Sequence, residues 1–174
     1  MTSSRLLTAA VLAGTLLAAT LAVPATAGAG QAAAAPHVWS SRANPVQVAA
    51  TVARRYWRAV PCDGQVKFRV RRAVPAGLDP TSDAWSTFDS SLGRNNLAAP
   101  ASSYSGCAIS FARWRWPTRA SMREDWNLLC TTMIHEMGHL LGHPHDSTPG
   151  SIMAPAFTDD SNVPPICRAT RPAR

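Results

Sequence analysis

The chain has 174 residues, 46% of them hydrophobic, with 17 Lys and Arg against 10 Asp and Glu and a formal net charge of +7. That length and apolar content suit one compact domain, and no second apolar run of spanning length follows the first residues, which excludes a polytopic membrane protein. The basic balance can draw in anionic substrates or cell-wall polymers, but solubility and an arginine-rich genome explain it equally, and no nucleic-acid partner is expected.

Residues 1–27 read as a signal peptide. Arg5 supplies a positive start, Leu6 to Val23 is apolar, and Ala25-Thr26-Ala27 is a small-residue cleavage signal after the helix-breaking Pro24. The mature protein is therefore expected to be secreted, extracellular, not inserted in a membrane, and monomeric. Residues 28–40 begin with small, low-complexity sequence (GAGQAAAAP) and read as a flexible N-terminus, too short for a folded inhibitory prodomain. The remainder, 41–174, is expected to be a single folded domain.

Asn44-Pro45 looks like an N-cap with proline at the first helical position. Val46, Ala49, Ala50, Ala53 and Trp57 follow at helical spacing, so a helix is expected, ending by Pro61. Val66, Phe68 and Val70 alternate with basic residues, which predicts a half-exposed strand. From Ala73 to Gly106 the sequence is rich in Ser, Asp, Gly, Pro and Asn, and predicts loops with a short strand or two. Cys107 to Arg113 reads as another strand. In the following Arg113-Trp114-Arg115-Trp116, strand alternation would pack the tryptophans inward and leave the arginines solvated. Interleaved Arg and Trp can also bind anionic polymers or membranes, so a basic binding module is a rival reading. The strongest helix is expected to begin at Ser121, with Glu124 completing a capping box, and to run until Gly142.

The four cysteines, Cys62, Cys107, Cys130 and Cys167, form no Cys-x-x-Cys pair. In an exported chain they imply two disulfides. Cys62 precedes one strand and Cys107 begins another, so a Cys62–Cys107 bridge would staple the sheet. Cys130 lies about 140° around the helix from His135 and faces away from it, free to tie that helix to the C-terminal segment through Cys167.

The long helix carries His135-Glu136-Met137-Gly138-His139. Four residues are about 400° of helical rotation, so both imidazoles project from one face and can grip one zinc ion. Glu136 sits beside the first histidine, placed to contact a water rather than the metal. Gly142 and His145 extend the pattern to His-Glu-x-x-His-x-x-Gly-x-x-His, and Gly142 can take the positive φ that swings the chain back to the metal. Three histidines leave zinc an open position, as catalytic sites require. His143 would share a face with His139 only if the helix continued, and is expected outside the site. Asp146 or Asp159 is a weaker alternative third ligand. A glutamate is excluded, because the only two, Glu124 and Glu136, are not downstream of the motif.

HEMGHLLGHPHD followed by SIMAP resembles the metzincins, and the short domain looks most like the matrixin-like secreted bacterial members. The resemblance implies an α+β zincin fold, a small mixed sheet packed with an N-terminal helix and an active-site helix. It implies zinc on His135, His139 and His145, Glu136 as general base, and Met153 in a Met-turn that forms an apolar floor under the histidines. Asp146 is more like the snake-venom and disintegrin-linked branch, so the subfamily stays open. Phe88-Asp89 to Leu97-Ala98-Ala99 resembles a matrixin loop for structural calcium and a second zinc. Ala99 stands where that loop has a histidine, which removes the second zinc, while Asp79, Asp83 and Asp89 remain calcium candidates. The family arrangement also suggests the Cys107–Arg113 strand as the sheet edge that pairs with an extended peptide. The expected activity is that of a zinc endopeptidase on peptides or proteins. A zinc amidase acting on cell-wall peptides is the nearest rival.

Overall fold

The structure, a computed structural model, describes residues 37–156 and 162–173. The expected leader, residues 28–36 and Asp159 lie outside the described residues. Helix α1, Pro45–Trp57, starts where the sequence places it, with the Asn44 side chain accepting a hydrogen bond from the Val46 N–H at 3.1 Å. It stops at Trp57 because Arg58 takes a left-handed conformation (φ 50°), before Pro61 is reached. Ala49, Ala50 and Ala53 are buried, and these small side chains let α1 approach the helix that carries the histidines.

Four strands form a mixed sheet: β2 (Lys67–Arg71), β3 (Ala84–Ser90), β4 (Gly93–Arg94) and β5 (Ser105–Ala112). Their order is β2-β5-β3-β4, with β2 parallel and β3 antiparallel to β5. The strand expected at Cys107–Arg113 is therefore not an edge. It is central, and residues 107–112 are buried without alternation because side chains on both of its faces are covered. β3, which the two-residue β4 flanks only at Asp89 and Ser90, packs against the histidine helix.

The chain then turns. β5 ends at Ala112, and Trp116 N–H bonds back to the Ala112 carbonyl. The turn breaks the strand alternation expected of Arg113–Trp116: Trp116 is 1% exposed but Trp114 is 54% exposed. Arg115, expected in solvent, pairs with Asp125 at 3.3 Å and Asp83 at 3.9 Å.

The single helix expected from Ser121 is two helices, α2 (Arg119–Glu124) and α3 (Trp126–Leu140). The capping box is Thr118 with Ser121, not Ser121 with Glu124: the Ser121 N–H donates to Thr118 Oγ1, and the Thr118 N–H to Ser121 Oγ. The break falls at Asp125, whose ψ of 34° leaves the helical range. Among the described residues no helix is long and apolar enough to cross a membrane.

Among the described residues, α4 (Pro165–Ala169) and β6 (Thr170–Pro172) follow α3. β6 pairs in parallel with β1 (His37–Trp39), at the end of the stretch expected to be flexible. Cys62 is bonded to Cys107, and Cys130 to Cys167. The second bridge joins α3 to α4, reinforced by a hydrogen bond from Trp126 Nε1 to the Cys167 carbonyl at 2.9 Å. The result is an α+β fold in which α1 and the sheet both pack on α3.

Candidate metal centre

α3 puts His135 and His139 one turn apart, and its C-terminus brings in the third imidazole. Gly142 has φ +89°, the His143 N–H bonds to the Gly138 carbonyl, and the Gly142 N–H bonds to the His139 carbonyl. This is a Schellman ending, which reverses the chain while satisfying two terminal carbonyls. His145 then returns to the helix. The donor atoms of His135, His139 and His145 all lie within 4.8 Å of one another. His143 does not join them: its ring stacks on Trp57, centroids 4.5 Å apart.

The outward ring nitrogens are fixed by backbone. His135 Nδ1 lies 2.8 Å from the Ile152 carbonyl, and His139 Nδ1 lies 2.8 Å from the His143 carbonyl. A carbonyl only accepts, so both Nδ1 atoms carry the proton and both Nε2 atoms carry a lone pair. Yet His139 Nε2 is 3.1 Å from His135 Nε2 and 3.2 Å from His145 Nε2. Two lone pairs facing each other at that distance repel, and a cation between them relieves the repulsion. A tetrahedral zinc with bonds of about 2.0–2.1 Å spaces its ligand nitrogens by roughly 3.3–3.4 Å, so this donor set fits zinc.

Electrostatics agree. Burial, partly offset by the Ile152 hydrogen bond, pushes the His135 pKa down to about 4. Burial likewise lowers that of His139. Neutral imidazoles are the form a metal needs. Glu136 behaves oppositely: burial pushes its pKa up to about 7, although the Ser86 hydroxyl and backbone N–H both donate to its carboxylate and pull it down. Ser86 lies on β3, and nothing in the Ser-rich sequence around it marks it out.

Met153 is buried against Gly138, between the two helix histidines in sequence, and its carbonyl accepts from the Asp146 N–H at 2.9 Å. Its approach depends on Gly138, where a Cβ would collide with Met153 Sδ and come within 2.9 Å of Trp57 Cζ2. Trp57 also donates from Nε1 to the Ile134 carbonyl at 2.8 Å. The sequence showed Trp57 only as a helix residue; its place against Gly138 and His143 comes from the packing of α1 on α3.

Asp146 does not join the histidines. Its carboxylate accepts from the Thr148 N–H and hydroxyl at 2.9 and 2.7 Å, holding the loop. The calcium candidates do not gather. Asp79 accepts from the Thr81 N–H and hydroxyl, Asp83 faces Arg115, and Asp89 pairs with Arg94. Among the described residues the histidine group is the cluster suited to a metal.

The family profile of the matrixins matches residues 61–165, which span the four-stranded sheet, the Cys62–Cys107 bridge and the histidine cluster. No curated protein and no solved structure matches the chain significantly. With three histidines converging at the Gly-terminated end of α3 and the matrixin profile covering residues 61–165, the chain belongs to the matrixin family of zinc-dependent metallopeptidases.

Proposed function

We propose that the chain is a secreted zinc endopeptidase in which His135, His139 and His145 hold the metal and Glu136 is the general base. The observation that carries this is the convergence of three Nε2 atoms on one point, with the buried Glu136 carboxylate on the adjacent helix position. Zinc, when bound, supplies Lewis acidity, lowering the pKa of a coordinated water and polarising the scissile carbonyl. Glu136 takes the proton of the attacking water and passes it to the leaving amine nitrogen. A carboxyl poised near neutrality can do both, and a bound dication lowers it further from there. The two hydrogen bonds from Ser86 fix the direction in which the carboxylate points. The Ile152 and His143 carbonyls keep the imidazoles in the metal-binding tautomer.

The substrate is a peptide or protein in extended form. β3 pairs with β5 on one side and with β4 only through Asp89 and Ser90, so among the described residues no strand pairs with Ala84–Thr87 on its outer side. An extended peptide added there runs past Ser86 and Glu136, which favours an endopeptidase over a cell-wall amidase. Residues 1–27 are the signal peptide in this reading, 28–40 the N-terminal stretch and 41–174 the catalytic domain. The two disulfides fit an oxidising, extracellular location. The test is Glu136→Gln: hydrolysis of a protein substrate falls by about 10²–10⁴-fold while zinc content is unchanged. Substantial remaining activity, or loss of zinc from a folded variant, contradicts the assignment.

A further inference from the structure

A second cavity, of about 490 Å³, opens on the other side of the sheet order, between β2, the start of α1 and the start of α2. β5 separates it from β3 and hence from Glu136, and none of its lining residues belongs to the zinc centre. Its apolar lining includes Phe68, Phe111 and Trp116. Around these stand Arg69, Arg72, Arg113 and Arg119, all exposed, and no carboxylate lines the cavity. None of the four arginine side chains forms an ion pair among the described residues.

We propose that this groove is a second peptide-binding site that takes an extended acidic segment carrying one bulky apolar residue. Three observations select that occupant. Four unpaired guanidiniums over an apolar floor demand negative charge and apolar bulk together, which a phosphate or sulfate polymer does not offer. Trp116 lines the cavity, and among the described residues its buried indole N–H has no hydrogen-bond partner, a donor that an oxygen of the occupant can satisfy. Finally, among the described residues β2 ends the sheet, and consecutive residues Phe68, Arg69 and Val70, whose side chains alternate between faces, all line the cavity. The cavity therefore follows the free strand edge, where an extended peptide can add by backbone hydrogen bonds. Basic residues alone could simply guard an edge strand from aggregation, but that role needs no apolar recess beneath them. The inference stands apart from the hydrolytic reading, since no lining residue takes part in it.

The test uses the zinc-loaded full chain saturated with a small hydroxamate, which occupies the zinc centre. The probe is a fluorescein-labelled peptide of alternating glutamate and valine around a central leucine, followed by anisotropy and checked intact by mass. Saturable one-to-one binding is expected, unaffected by the hydroxamate. Arg72→Glu with Arg119→Glu weakens it about 100-fold, at roughly tenfold per lost charged contact. Trp116→Phe weakens it several-fold while the circular dichroism stays native. If the charge reversal unfolds the protein, Arg72→Gln with Arg119→Gln must give the same direction of change. Absence of binding, displacement by the hydroxamate, or arginine variants that bind normally would overturn the proposal. So would equal affinity for an all-glutamate peptide or for polyphosphate, which marks polyanion adsorption only.

Discussion

Glu136 is held by a neighbour that its own motif does not name. The Ser86 hydroxyl stabilises the charged carboxylate, so Ser86→Ala raises the Glu136 pKa. In its proposed role as base Glu136 must be ionised to work, and the acid limb of the kcat/KM profile is therefore expected to move to higher pH, with little change above it. An unshifted limb would remove Ser86 from the positioning of Glu136. Gly138 is the second residue with consequences beyond its size. Gly138→Ala forces Met153 or Trp57 away and is expected to cost about 1–3 kcal/mol, read by denaturant unfolding, together with weaker zinc retention. The histidines were legible because their spacing is local in the chain and a helix turns spacing directly into geometry. Ser86 and Trp57 were not, because each reaches the site through packing of a distant element, and a strand in a Ser-, Asp- and Gly-rich stretch advertises no face.

At the level of elements, α3 is tied twice near its N-terminal end. Arg115 pairs with Asp125 before its first turn, and Cys130–Cys167 anchors its second turn to α4. The bridge closes a span of 37 residues, for which chain-entropy reasoning gives about 4 kcal/mol. Cys130→Ser with Cys167→Ser is expected to lower unfolding free energy by roughly that amount in denaturant titration, and an unchanged midpoint would make the bridge incidental. Helix α1 was readable from its Asn44 cap and the outer strand β2 from its alternation, but the cap before α2 lies at Thr118, three residues ahead of the expected Ser121. The α2–α3 break was not readable, because no Pro or Gly marks Asp125. The centrality of β5 was not either, since a strand's neighbours are chosen by long-range pairing. An all-buried run such as Cys107–Ala112 is the trace such centrality leaves in a sequence.

For the whole molecule, the buried ionisable groups set how the metal-free protein responds to pH. His135 falls from 6.5 to about 4 on folding, so between those values the unfolded chain binds more protons and stability rises with pH. Glu136 rises from 4.5 to about 7, so the folded chain binds more protons there and stability falls with pH. The two slopes oppose each other between pH 4.5 and 6.5. Glu136→Gln removes one of them, and the metal-free variant is expected to gain on the wild type as pH rises from 4.5 to 7, by about 3 kcal/mol in all. Parallel stability curves in the presence of chelator would contradict that. The central claim, that His145 and not His143 completes the zinc site, is tested most directly by metal analysis of two purified variants. His145→Ala is expected to lose zinc, because it removes one of three converging nitrogens. His143→Ala is expected to keep one zinc per chain, because it removes a ring stacked on Trp57 and leaves the backbone carbonyl that holds His139. Full zinc in His145→Ala with none in folded His143→Ala would contradict the account.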